Sequence, residues 1–302
     1  MFVNWLNSLP GAAAQGIIWG IMAIGLYITF KILDIADLTV DGSICTGAAV
    51  CAVLITNGAP IAVAMLCAFI AGMLSGLITG LFHTFMGITP ILAGILTQLI
   101  LWSVNLKIMG KANIPLPIRN YDLIVTIASP LSSILVLLIF VAAIVGVLYW
   151  FFGTELGTSM RATGNNLNMS RAQGINTSLT KVLGLVISNG IVALSGALLA
   201  QYNGFSDINM GKGAIVIGLA AIIIGDIVIT RLTTNFALRL LGVVVGGMIY
   251  YFVYQTVVFL GLDTDLLKML SAIVVAVFLA IPYWKNKYLK KKTKPSEVNT
   301  DA

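Results

Sequence analysis

The chain has 302 residues, 59% of them hydrophobic and 9% charged, with a net charge of +6 and a mean hydropathy of +1.02. So few charges cannot solvate the surface of a water-soluble globular domain, so the composition dictates an integral membrane protein. Lipid tolerates only spans whose backbone hydrogen bonds close internally. The apolar runs lack the period-two alternation of barrel strands, so each is expected to be a helix of roughly 20 residues.

In chain order, residues 11–33 form the first apolar run. It lacks the basic start, short core and cleavage site of a removable signal peptide, and is expected to remain as a span. Residues 42–55 are short, contain glycine and follow "LDIADLTVDG"; a full span, a broken helix and a re-entrant segment all fit, which leaves the side of the N-terminus open. Further runs cover residues 61–82, 90–104, 130–152, 182–200, 214–229, 236–260 and 266–283. Together they predict an all-α fold, a polytopic membrane helix bundle of about eight to ten transmembrane helices within residues 1–284. Pro90 and Pro130 suit first helical turns, where the missing N–H has no partner to lose, and Ser129 is placed to cap the second of these helices. The stretch "ANIPLPIRNYDLIV" between two spans is expected to lie along the interface as a short amphipathic piece.

Cys45, Cys51 and Cys67 lack the paired spacing of a zinc or redox site and read as small buried hydrophobes. His83, in "GLFHTFMG", has no carboxylate nearby with which to build a metal centre or proton relay, and reads as a helix-end residue. No metal or cofactor is expected. Glycines at helical spacing (Gly16 and Gly20; Gly72, Gly76 and Gly80; Gly242 and Gly246) permit close helix packing, either within the chain or as a dimerisation seam. Lys285, Lys287, Lys290, Lys291, Lys292 and Lys294 make residues 285–302 a basic tail. Such a cluster suits nucleic acid or anionic lipid, but directly after a span it reads as an orientation signal that places the C-terminus in the cytoplasm, with no nucleic-acid partner. Counting back from there puts the loop with Arg231 and Arg239, and the loop with Arg161, Arg171 and Lys181, on the cytoplasmic side as well.

No GxxxxGK[ST] phosphate loop, HExxH or GxSxG occurs, so the chain has no visible means of hydrolysing ATP, peptides or esters. An ion-coupled carrier or channel is the alternative from another class. It would need intramembrane charge, for which Asp226 in "AAIIIGDIVIT" is the candidate. Asp226 also lies within reach of Arg231 or water; under the carrier reading, Asp226→Asn abolishes gradient-driven uptake.

"RATGNNLNMSRAQGIN" carries two arginines and four asparagines between two apolar runs. Its signals predict a helix over residues 155–163, a turn at Gly164-Asn165-Asn166, a second short helix over residues 167–173 ended by Gly174, and Asn176 capping the next span. Met160, Leu167, Met169 and Ile175 would then have nothing to cover, which favours a docking partner over an ordinary loop. Two further segments echo each other. "DLTVDGSICTGAAV" and "DINMGKGAIVIGLAA" each follow a span with an aspartate, a glycine turn and a small-residue helix. Broken helices of this kind mark solute sites in many transporters, and chance similarity explains the pair equally well.

The insert resembles the cytoplasmic coupling segment of bacterial ABC-importer permeases of the branched-chain amino acid and ribose type, with pattern R-A-x-G-x-N-x-x-x-[AS]-[RK]-x-x-G-[IV]. Arg161, Ala162, Gly164, Asn165 or Asn166, Ser170, Arg171, Gly174 and Ile175 carry the match. "ILDIADLTVDGSICTGAAV" and "GLAAIIIGDIVITRLTTNFALRLLGVVVGGMIYYFV" are similar to two other segments of that family, although Asp226 replaces a usual glycine, a departure that points to permeases linked with aromatic amino acids.

The resemblance implies a permease subunit in the bacterial plasma membrane that moves a small polar solute, an amino acid, inward without being an enzyme itself. It implies three partners besides lipid: an ATP-binding cassette subunit gripping the insert (about residues 154–178), an extracytoplasmic solute-binding protein, and a second permease chain, identical or paralogous. Arg161 and Arg171 would contact the ATPase or fold the insert onto its own helices, and Gly164 and Gly174 would set its turns. For the pathway, Asp37, Gly42, Ser43, Asp207 and Asn209 follow the two helix breaks. The aspartates serve equally as helix caps.

Overall fold

A computed structural model describes residues 2–117, 121–229 and 235–259, with isolated helical positions at 269, 272, 273, 276, 277 and 280. Arg231, most of the last apolar run and the basic tail lie outside the described residues. Among the described residues ten continuous α-helices follow in order: α1 Phe2–Tyr27, continued by a π-helical turn Ile28–Ile32, α2 Val40–Thr56, α3 Ile61–Thr84, α4 Pro90–Met109, α5 Pro130–Phe151, α6 Glu155–Asn165, α7 Leu167–Ala172, α8 Thr177–Asn203, α9 Ala214–Ile229 and α10 Phe236–Phe259. Among them, 6 are long and apolar enough to cross a membrane, and α2 and α9 are shorter apolar helices. The polytopic bundle expected from composition is therefore what the chain forms.

α1 and α8 are the buried axis. Ile17, Ile18, Ile21, Met22 and Ile24 of α1 are wholly enclosed, as are Val192, Ala193, Ala197 and Leu198 of α8. Packing fixes their directions: Tyr202 donates to Gly11 O, Ser195 to Ile18 O and Ser188 to Gly25 O, so α1 and α8 are antiparallel. α6 and α7 lie where α1 ends and α8 begins, which defines an insert side of the bundle and a far side where α1 starts. The glycine rows are used within the chain. Gly16 and Gly20 meet α10, Gly72, Gly76 and Gly80 meet α8, and Gly242 and Gly246 meet α9.

α2 and α9 each cover only half the bundle's height. Ser43 at the start of α2 donates to Asn189 Oδ1 in the middle of α8, and Gln201 near the far end of α8 reaches Cys51. α2 thus rises from mid-height to the far side. α9 starts beside Asp41 at that same mid-height and ends at Asp226, which pairs with Lys31 of the π-helical turn at 2.9 Å on the insert side. Residues 42–55 lie within one continuous helix of 17 residues, Val40–Thr56, preceded by an irregular segment.

Some expectations are corrected. Ser129 does not cap α5; its hydroxyl lies 3.1 Å from that of Thr126, while Ser133 bonds the Thr126 backbone. Within the "ANIPLPIRNYDLIV" stretch, Asn113–Pro115 (β1) pairs antiparallel with Phe205–Asp207 (β2), tying it to the loop that leaves α8. Asp226 pairs with Lys31, and Arg231, the partner expected from the sequence, lies outside the described residues. His83 sits at the end of α3, as expected, with Nδ1 2.9 Å from Ile88 O and Nε2 3.2 Å from Lys181 Nζ.

Candidate functional site

The insert is built by its own side chains. Thr154 accepts from Gly157 N at the start of α6, Asn166 from Met169 N at α7 and Asn176 from Leu179 N at α8. Each satisfies one of the amides that a helix start leaves without a partner, worth about 1 kcal/mol. Gly174 closes α7 with φ +79°, and Ile175 N returns to Ser170 O.

One residue does a different job from the one predicted. Gly164 lies inside α6, not in a turn, and the break falls at Asn166 alone. A Cβ on Gly164 would collide with the carbonyl of Ile32 and press on Leu33. Glycine is required because the insert rests directly on the backbone that leaves α1.

The other insert residues mostly hold it in place. The Arg161 guanidinium lies 4.4 Å from the Phe236 ring centre and 5.2 Å from that of Phe152, a cation–π contact with a pair of edge-to-face rings that folds α6 against the bundle. Arg171 Nε donates to Thr177 Oγ1, and Thr163 and Thr180 share a hydroxyl contact of 3.1 Å. Met160 is fully buried, contrary to the expectation that it had nothing to cover, and Ser170 is buried too. Leu167 and Ile175 are half-buried and Asn165 is exposed. Met169, 62% exposed, is the large apolar side chain that α7 leaves bare.

At mid-height the two echoing segments touch. The Asp41 carboxylate accepts from Gly213 N at 3.0 Å and Ile215 N at 3.0 Å, so the start of α2 caps the start of α9. Cys45 Sγ accepts from Gly211 N and donates to Ile208 O. Asp37, 1% exposed, accepts from Thr39 N at 2.9 Å and from Asn189 Nδ2 at 2.7 Å. Thr39 continues the network through Thr79 to Thr97, which pins the loop before α2 to α3, α4 and α8. Asp207 accepts from Asn209 N, and Asn209 is exposed. Asp37 and Asp207 are thus seen in the turn-stabilising role. Of the five residues expected on the pathway, Gly42 lines a cleft, Asp37 and Ser43 lie buried behind it, and Asp207 and Asn209 shape the loop above.

That cleft, about 240 Å³, lies between α2, α4 and the 208–212 loop; its lining includes Asp41, Gly42, Gln98, Trp102, Asn105 and Lys212. Asn105 is fully buried, yet neither its Oδ1 nor its Nδ2 has a partner among the described residues, an arrangement that costs about 1–3 kcal/mol. Sequence reasoning missed Asp41, Asn189 and Asn105. Asp41 passed as part of a glycine turn, and Asn105 fell one residue past the apolar run at residues 90–104. Asn189, in the middle of a long apolar run, was the signal available.

A family model described as "Branched-chain amino acid transport system / permease component" matches residues 8–281. A tyrosine transport system permease protein of Clostridioides difficile (strain R20291) is 41% identical over 275 residues, 91% of this chain and 91% of the relative. An uncharacterized protein of Rickettsia prowazekii (strain Madrid E) is 35% identical, over 91% of this chain and 98% of the relative. An autoinducer 2 import system permease protein of Yersinia pestis (strain Pestoides F) is 26% identical, over 83% and 66%. No solved structure matches the chain.

Proposed function

Because the chain belongs to the permease-component family of branched-chain amino acid transport systems, and so is a permease of an ABC transport system, we propose that it carries an amino acid into the cell on energy supplied by a separate ATP-binding subunit. That subunit grips α6 and α7, so the insert side faces the cytoplasm of a bacterial plasma membrane and the basic tail lies there too. An extracytoplasmic binding protein delivers the solute to the far side. A second permease chain, identical or paralogous, completes the pathway. The name of the 41% identical relative supports an amino acid, tyrosine among them, as the solute.

The observation that carries this reading is the contact of Gly164 with Ile32 and Leu33. From Leu33 the backbone runs directly to Asp37 and the start of α2, which in turn caps α9. A displacement of the insert is therefore delivered to the junction of both half-spans through the short irregular segment at residues 34–39, which Thr39 and Asp37 pin to α3 and α8. ATP biases inward-facing against outward-facing states only by the difference in docking free energy between them, so a stiff joint is what such a machine needs. Gly42 faces the pathway, while Asp37 and Ser43 hold the α2 start in register and Asp207 and Asn209 shape the re-entrant loop. The chain itself performs no hydrolysis.

The test is cross-linking from Met169→Cys in membranes containing the ATP-binding subunit. Capture of that subunit, in inside-out vesicles and not from the outer face of intact cells, is the expected result. Labelling from the outer face, or no capture with or without ATP, overturns the proposal.

A further inference from the structure

The cleft beside the half-span junction combines features that no structural role accounts for. Asn105 is fully buried and both polar atoms of its amide lack partners, at the wall of a space large enough to hold a ligand. A buried amide left open on both its donor and its acceptor side is satisfied by something that offers both. Gln98, two helical turns away on α4, makes no side-chain hydrogen bond among the described residues and lines the same space. Lys212 is exposed, forms no ion pair among the described residues and lines it from the loop. Opposite lies Asp41. Its oxygens each accept one backbone amide, which leaves further lone pairs on the carboxylate. Trp102, 47% exposed, supplies an aromatic face.

A cation, a carboxylate, two primary amides and an indole within about 240 Å³ make a site of mixed charge, below the roughly 300–1,000 Å³ of drug-sized sites. A purely anionic solute would meet Asp41 and a purely cationic one Lys212. Facing lipid, the same lining would be costly, because hydrocarbon offers these groups no partners. Resting on the importer reading above, we infer that this cleft is the recognition subsite for the solute in transit. It takes a single zwitterionic α-amino acid with an apolar or aromatic side chain: carboxylate toward Lys212, ammonium toward Asp41, polar edge on Asn105 and Gln98, side chain against Trp102. The specificity so encoded belongs to the permease, separate from that of the binding protein.

The experiment uses the complete transporter, reconstituted with its ATP-binding subunit and binding protein, and follows radiolabelled L-tyrosine. Asn105→Leu and Lys212→Gln are each expected to lower ATP-dependent uptake about tenfold or more at equal amounts of assembled complex, the loss typical when a polar subsite forfeits its hydrogen bonds. Uptake within about twofold of wild type for both variants overturns the inference, and leaves the importer reading standing if wild-type uptake needs ATP. Wild-type import of ribose but of no amino acid also overturns it, again without touching the importer. Wild-type uptake of any solute without ATP removes both. Should Asn105→Leu fail to assemble, Leu99→Cys at the cleft mouth decides: L-tyrosine is expected to protect it from a water-soluble thiol reagent in the complex, and labelling unaffected by saturating tyrosine overturns the assignment.

Discussion

The insert and the mid-height junction are both polar islands in an apolar chain, yet they are assembled in opposite ways. In the insert, the capping contacts join residues close in sequence, Asn166 to Met169, Arg171 to Thr177 and Asn176 to Leu179, and distant residues enter where it is seated on the bundle, Gly164 on Ile32 and Arg161 on Phe236. At the junction, Asp41 meets Gly213 and Ile215, Asp37 meets Asn189, and Thr39 meets Thr79. The first takes its local shape from its own sequence and can be offered to another protein. The second exists only when the bundle is complete, which suits a place where conformations must change together.

The largest test of this contrast is Gly164→Val, where the two regions meet. The added branches collide with the Ile32 carbonyl, so ATP-dependent uptake is expected to fall to background while the ATP-binding subunit still co-purifies. Uptake retained at half of wild type would mean that the contact carries no motion. Next in size is Asp41→Ala. It removes a charged acceptor from two backbone amides, and hydrogen bonds to charged groups are worth about 1.5–3 kcal/mol each. A thermal-unfolding scan in detergent should show a Tm lowered by several degrees, roughly 2–4 °C per kcal/mol for chains of this order of size. The smallest is Asn166→Ala, expected to cost about 1 kcal/mol. Because the contact is local, amide exchange should speed up at residues 167–172 and stay unchanged near Asp37; faster exchange at both would erase the distinction between the regions.

The same contrast decides what was legible in the sequence. Asn166, Gly174 and Asn176 announce themselves through short-range capping patterns, and the long apolar runs announce spans, so the insert and the bundle are readable from one chain. Gly164 was read as a turn residue because glycine's commonest local use is a turn; the carbonyl it must clear lies more than a hundred positions earlier. Asp41 and Asn105 carried no local signal, since their neighbours in the cleft come from α2, α4 and the loop before α9. The echo between the segments after Asp37 and Asp207 did point to the junction, and it was visible because two half-spans that stop at mid-height both need a polar break there.

The π-helical turn at Ile28–Ile32 has a consequence of its own. Such a turn is an α-helical turn carrying one surplus residue, the mark of a single-codon insertion accommodated as a bulge. Excising that residue would let α1 run on smoothly, but everything downstream would swing by about 100° about the helix axis, and the carbonyl on which Gly164 rests would point elsewhere. The bulge is thus a phase adjuster: it sets the angular alignment between a regular buried rod and the lever laid against its tip.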